Sequence, residues 1–294
     1  MFDLRQYLRE KQAAIDAALD AHLPPKNERP AVLHEAMRYS VLAGGKRLRP
    51  ILCLAAAEAV GAATDTALIP AIAIEILHAY TLIHDDLPAM DDDRLRRGKP
   101  TSHVAFGEAN AILAGDALLT LAFEWMAVCP APKPYLPNQL SVELAEAAGS
   151  RGVIAGQVED LAAEGKEPSA ELVEYIHLHK TAALIRAAVR IGAIAGGAKA
   201  GELNALTIYG CDIGVAFQIA DDVLNATSTP EVLGKAAGSD AKRKKMTYVA
   251  LHGIDGAMKK AGDLVDRAVA ELKNLKGPTE PLEAIGKYVV ERKI

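Results

Sequence analysis

Apolar residues return every three or four positions along nearly the whole chain, the spacing that lines one face of an α-helix. Around residue 180, Leu172, Val173, Ile176 and Leu178 are followed by Ala182, Ala183, Leu184 and Ile185. A stripe that wide predicts a helix buried on several sides. Strict two-residue alternation bounded by turn pairs is hard to find, so strands are not expected. Breaks fall at HLPPKNERP, at Gly61–Asp65, at CPAPKPYLPN, around Gly165–Pro168, at Gly196–Gly201 and at Ser228–Ser239. Such clusters of Gly, Pro and polar residues divide the chain into about ten helices of ordinary length. No composition shift or fixed-period repeat separates parts of it. The pattern predicts an all-α fold, one helical domain over residues 1–294, built as a compact multilayer bundle. A leftover apolar face would favour a dimer.

Composition sharpens this only in part. Half of the 294 residues are hydrophobic, yet 4% are aromatic; Ala, Leu, Ile and Val supply the rest, as suits helical packing. A net charge of −5 gives no global attraction to nucleic acid or to an anionic membrane. Cys53, Cys129 and Cys211 are scattered and form no CxxC pair, so neither a disulfide framework nor a zinc site is indicated. The amphipathic N-terminus lacks a signal-peptide core, and no uncharged apolar run reaches the roughly 18 residues of a membrane span. The expectation is a cytoplasmic protein with no stable membrane insertion and no nucleic-acid partner.

Chemistry concentrates where charge interrupts apolar helix. Asp85, Asp86, Asp91, Asp92 and Asp93 follow the run AIAIEILHAYTLI directly, and Arg94, Arg96, Arg97 and Lys99 come next. Like charges one turn apart repel, and Pro88 disrupts a helix, so ordinary helix economy does not explain the cluster. Carboxylates at this spacing share hard divalent cations, while arginines offer bidentate donors to phosphate oxygens. Together they describe a site for a metal-chelated diphosphate. A second pair, Asp221 and Asp222, interrupts another hydrophobic helix one turn after Gln218. If the two helices face each other, their carboxylates line opposite walls of one cavity. Gly44 and Gly45 precede Lys46, Arg47 and Arg49, a glycine turn suited to an anion. It is not a P-loop, which needs GxxxxGK[ST] after a strand. His78 lies two turns before Asp85; Lys180 and Thr181 follow His177 and His179 at another helix entry; Lys235 and Lys245 bracket Asp240.

In their joint order, GGKRLRP, LIHDDLPAMDDD with RRGKPT, the GQ..D of Gly156–Asp160, HLHKT, FQIADD, GKAAGSD, KMTY and LEAIGKYVVERK resemble the trans-isoprenyl diphosphate synthases, or polyprenyl synthetases. Within them the chain is most similar to the bacterial farnesyl diphosphate synthases, and the resemblance runs along almost its whole length. It implies an all-α isoprenoid synthase bundle around a deep central cavity, usually a homodimer. It implies that Asp85, Asp86 and Asp91 form a first aspartate motif and that Asp221 and Asp222 begin a second, these five holding Mg²⁺, with Mn²⁺ as an alternative. Arg96, Lys180 and Lys245 would bind the allylic diphosphate, with Gln218 nearby. Lys46, Arg49, His78 and Arg97 would hold isopentenyl diphosphate, Thr181 and Lys235 would add substrate contacts, and Arg292 and Lys293 would help close the site. The reaction implied is ionisation, condensation and elimination, with no Ser, Cys or His nucleophile.

Two departures stand out. The second motif should read DDxxD, but Asn225 occupies its last position; the lost charge predicts weaker metal binding. Arg94 stands where related chains often extend the aspartate run. Tyr80 and Thr81, five and four residues before Asp85, would point one turn below the metal site and floor the product pocket. A bulky Tyr80, with the extra Pro88–Ala89 in the first motif, implies a fifteen-carbon product, farnesyl diphosphate, with geranyl or geranylgeranyl diphosphate as alternatives. A terpene cyclase would need an aromatic-lined cavity, which 4% aromatic residues do not favour. A non-catalytic subunit of a heteromeric synthase is the other reading, weighted by Asn225.

Overall fold

The structure, a computed structural model, describes residues 2–167, 169–227 and 245–291. Among them run α1 (Leu4–His22), α2 (Ala31–Val41), α3 (Leu48–Ala59), α4 (Leu68–Asp85), α5 (Ser102–Phe106), α6 (Glu108–Ala127) and α7 (Gln139–Ala148). Then come α8 (Val153–Ala163), α9 (Ala170–Ile176), α10 (Ala183–Ala195), α11 (Ala200–Thr227), α12 (Tyr248–Glu271) and α13 (Glu280–Glu291). The all-α expectation holds. The β structure among the described residues is a two-residue antiparallel pair, Leu95–Arg96 with Lys99–Pro100.

Local chemistry explains several boundaries. The Asp3 carboxylate accepts from the Gln6 N–H at 3.0 Å and caps α1; the Thr247 hydroxyl oxygen accepts from Ala250 N at 3.2 Å and caps α12. Gly253 puts a kink near the start of α12 with φ 68° and ψ 175°, a conformation essentially reserved for glycine. The stripe read from the sequence as one helix is α9, a π-turn over His177–Ala182, and then α10. A π-turn inserts an extra residue and rotates the face that the next helix presents. Apolar spacing alone does not reveal it.

Helix α4 runs through the bundle, packed against α3, α6 and α10, and Ile72, Ile74, Ile76 and Leu77 are wholly buried. Helix α11 packs against α10, α12 and the π-turn. One hydrophobic core continues from Ile15 in α1 to Val289 in α13. Burying each large aliphatic side chain is worth about 1.5–3 kcal/mol. By length and composition, Thr64–Asp85 and Ala200–Thr227 are apolar enough to cross a bilayer, although each carries acidic residues; 67% and 56% of their most apolar windows are buried inside the protein. A helix apolar all round is what a bundle interior requires. These two are also the helices that carry the aspartate pairs.

The glycine turn read as three cations for one anion divides its labour. Arg47 is buried: Nε donates to Asp16 at 2.8 Å, Nη1 to Glu75 at 2.8 Å and Nη2 to the Val41 carbonyl at 2.8 Å. It ties α1, α2 and α4 beneath the turn.

Candidate active site

The acidic end of α4 folds back on itself. Asp86 N–H donates to the Leu82 carbonyl, and Asp91 N–H returns to the Asp85 carbonyl at 2.8 Å. The chain leaves the helix before Pro88, which cannot donate to a continuing ladder. Among the described non-glycine residues, positive φ occurs at Arg47, Asp92 and Arg97. All three lie in the loops that follow the glycine turn and this acidic turn, and such strain collects at functional sites.

A polar chamber of about 210 Å³ opens here. Asp85 and Asp91 line it from α4 and its loop, Asp221 and Gln218 from α11, Lys180 and Thr181 from the π-turn, and Lys245 from the approach to α12. The two aspartate regions therefore converge across one cavity. Within the chamber, Lys180 Nζ donates to Asp160 Oδ2 at 2.6 Å, and Lys245 Nζ donates to the same oxygen at 3.1 Å and to Asp91 Oδ1 at 3.3 Å. Gly156 is required where α8 meets the π-turn, because a Cβ there would lie 2.1 Å from Lys180 N.

The members of each aspartate pair differ in what they touch. Asp86 is buried and does not line the polar chamber; Arg96 Nε donates to its Oδ1 and Oδ2 at 2.8 and 2.9 Å, and Nη2 donates to Oδ1 at 2.5 Å. Arg96 itself lines the chamber while holding this bidentate pair. Asp222 borders the chamber but is 4% exposed, and both oxygens are engaged: Oδ1 accepts from Gln218 Nε2 at 2.9 Å and Oδ2 from Tyr248 N at 2.8 Å. Thr181 Oγ1 in turn donates to Gln218 Oε1 at 2.7 Å. Asn225 is buried at 6% exposure and is not among the described residues of the chamber wall.

Among the described residues, no group of three His, Cys, Asp or Glu side chains forms a ready-made metal cage. The donors on the facing walls are instead carboxylates, the hard oxygen ligands of a cation that completes its shell with water and phosphate. Burial pushes the Asp85 carboxyl up to about 6, with Asp91 adding and Lys180, Arg96 and Lys245 opposing. A bound cation would favour the ionised carboxylate, and with oxygen donors on both walls the set fits a hard divalent ion.

Arg49, His78 and Arg97 come together beside the chamber. Arg49 Nη1 donates to His78 Nε2 at 3.1 Å. Burial holds the Arg49 guanidinium down to about 10, against Glu75 and Asp221. Burial and then the guanidiniums of Arg49, Arg97, Arg96 and Arg47 hold His78 well below its ordinary range, so the imidazole is neutral. Gly45, at φ 136°, lets the Arg97 guanidinium approach: a Cβ would sit 2.6 Å from it. Lys46 lies elsewhere, lining a smaller cleft with Leu8, Phe217 and Tyr288. Lys235, Arg292 and Lys293 lie outside the described residues.

A second, apolar chamber of about 460 Å³ adjoins the first. Tyr80, Thr81 and His84 line it from α4, and Val153, Ile154, Gln157, Val158 and Leu161 from α8. Tyr80 is 6% exposed and meets His84 edge-on, with ring centroids 5.4 Å apart. The sequence reading missed the α8 wall and gave Asp160 no role. The spacing 153, 154, 157, 158, 161 marks one helical face, and Asp160 stood in the GQ..D segment; both signals were present.

A helical bundle whose two acidic segments face each other over a cation-rich chamber, continuous with an apolar one, is the architecture of a prenyl-transferring synthase. The polyprenyl synthetase family model matches residues 30–279, and the chain belongs to that family. It is 47% identical to farnesyl diphosphate synthase of Escherichia coli K12, over 99% of each chain. It is 46% identical to geranylgeranyl pyrophosphate synthase 12 of Arabidopsis thaliana, over 99% of this chain and 82% of the relative. Geranyltransferase from Helicobacter pylori, solved with magnesium and isoprenyl diphosphate, superposes with a TM-score of 0.82 at 31% identity over 99% and 97% of the two chains. The protein is a trans-prenyltransferase, a prenyl diphosphate synthase.

Proposed function

We propose that the chain joins isopentenyl diphosphate to dimethylallyl and then geranyl diphosphate and releases farnesyl diphosphate. One observation carries the reading: Asp85, Lys180 and Thr181 border both chambers. A diphosphate head held in the polar chamber thereby leads its hydrocarbon tail into the apolar one, toward Tyr80. Asp85, Asp91 and Asp221 would hold magnesium, or manganese in its place, which when bound supplies positive charge to the departing diphosphate. Lys180, Lys245 and Arg96 neutralise the same oxygens as negative charge develops. Arg49, neutral His78 and Arg97 orient isopentenyl diphosphate. The allylic C–O bond breaks with its electrons on diphosphate; the isopentenyl double bond attacks the cation, and the proton lost afterwards passes to the departed diphosphate. The apolar walls of α4 and α8 keep water from the cation.

Relatives divide between farnesyl and geranylgeranyl synthases. That division supports a twenty-carbon product as the second reading. Purified protein, magnesium and labelled isopentenyl diphosphate, incubated separately with dimethylallyl, geranyl and farnesyl diphosphate, distinguishes them. A fifteen-carbon product from the two shorter primers and none from farnesyl diphosphate supports the first reading. Extension of farnesyl diphosphate establishes the second, and silence with every primer points to a non-catalytic subunit. A homodimer is part of the proposal: Ile112 and Leu113 on α6 are 42% and 56% exposed, an apolar face suited to a second copy. Sedimentation at monomeric mass would remove it.

A further inference from the structure

Asp222 joins three elements, and one of its partners has no place in the chemistry of prenyl transfer. His177, the first residue of the π-turn, is 2% exposed and presents Nε2 to Asp222 Oδ2 at 3.2 Å. With its hydrogen on Nε2, the ring can donate to this carboxylate. His177 Nδ1 has no hydrogen-bond partner among the described residues. Its ring stacks on Tyr248, with centroids 5.9 Å apart and planes 30° apart. The backbone N–H of that same Tyr248 donates to Asp222.

Two tethers therefore fasten the π-turn to α11. His177 reaches Asp222 at its start, and Thr181 reaches Gln218 near its end, with Gln218 passing the link on to Asp222. Lys180 lies between these tethers. Lys245 lies three residues before Tyr248, in the segment that Asp222 holds by the Tyr248 N–H. One buried carboxylate thus links the backbone segments that carry both lysines to α11, while Asp160 holds their ammonium groups directly. The π-turn's i→i+5 bonds interrupt the α-helical ladder between α9 and α10, and the tethers at its two ends fasten this irregular turn to α11.

We propose that His177 is a positioning residue for prenyl transfer: through Asp222 it holds the π-turn so that Lys180 meets the allylic diphosphate opposite Asp221. The inference rests on the proposed roles of Lys180 in diphosphate binding and of Asp221 in metal binding. It separates a positioning role for His177 from metal binding, because His177 never touches the ion in this scheme.

The test compares His177→Phe, His177→Gln and His177→Asn with Asp221→Asn, each checked for folding by circular dichroism and thermal melting. His177→Phe keeps the stack on Tyr248 and loses the N–H; it is expected to lower kcat/KM for geranyl diphosphate by roughly 10- to 100-fold, the scale of a 1 Å misplacement. The half-saturating magnesium concentration should stay at the wild-type value, while Asp221→Asn should raise it. His177→Gln, long enough to donate to Asp222, should recover most of the loss; His177→Asn, too short, should not. Wild-type kinetics in His177→Phe, or equal activity of the Gln and Asn variants, overturns the inference. So does a magnesium shift in His177→Phe matching that of Asp221→Asn. If His177→Phe does not fold, the Gln–Asn pair decides alone. Full activity in Asp221→Asn would instead remove the reading of the site on which the inference stands.

Discussion

The two aspartate pairs look alike in sequence and are built differently. Asp85 and Asp86 close a helix and open a loop with left-handed backbone, whereas Asp221 and Asp222 lie within the uninterrupted helix α11. Yet each pair divides its work the same way. The first member lines the chamber, and the second is held by other protein groups: Asp86, off the wall, by Arg96, and Asp222, at its border, by Gln218 and the Tyr248 N–H. Adjacent residues on a helix point about 100° apart, so one cavity can rarely use both carboxylates directly. What differs is the holder. The loop recruits a guanidinium from ten residues away; the helix recruits a neighbouring turn and the backbone of another helix.

The largest effects should come from the chamber-facing members. Asp85→Asn and Asp221→Asn should each lower kcat by about 100- to 1000-fold, as loss of a preorganised electrostatic contact does, and both should raise the magnesium requirement; steady-state assays over a magnesium titration check this. The inward members should behave otherwise. Asp86→Asn and Asp222→Asn should lose about 1–3 kcal/mol of stability in denaturant titration, because buried donors lose their charged acceptor, with magnesium half-saturation held. If both members of a pair shift the magnesium curve equally, the division of labour fails. Arg96→Lys keeps the charge but not the planar fork; a milder fall in melting temperature than Asp86→Asn gives is expected.

Tyr80→Ala tests the apolar chamber rather than the ionic one. Product chains should lengthen on thin-layer or mass analysis at little cost in total turnover, and an unchanged profile removes Tyr80 as the floor. Smallest of all should be the effect of Asn225→Asp on metal affinity. Because Asn225 is buried off the described chamber wall, restoring the charge should leave the magnesium curve where it was and lower the melting temperature. A tighter magnesium curve would put position 225 back among the ligands.

Much of this protein is legible in its residues. Apolar spacing near 3.6 can be satisfied only by helices, and acidic pairs set into apolar helix mark chemistry because burial makes idle charge expensive. From these, with the order of its motifs, the sequence alone determined the helical class, the synthase family and the acidic and basic segments that the fold brings to one chamber. Tertiary structure decided what depends on which way a side chain turns and what stands across from it. Only packing shows that Arg47 is spent on Asp16 and Glu75, that Asp86 belongs to Arg96, and that Asp160 gathers Lys180 and Lys245. Only the fold reveals the π-turn at His177–Ala182, which packs against α8 and α11 and has no mark in the apolar spacing. The physical reason is common to all of these: residue type limits the partners a charge can accept, and three-dimensional contact selects among them.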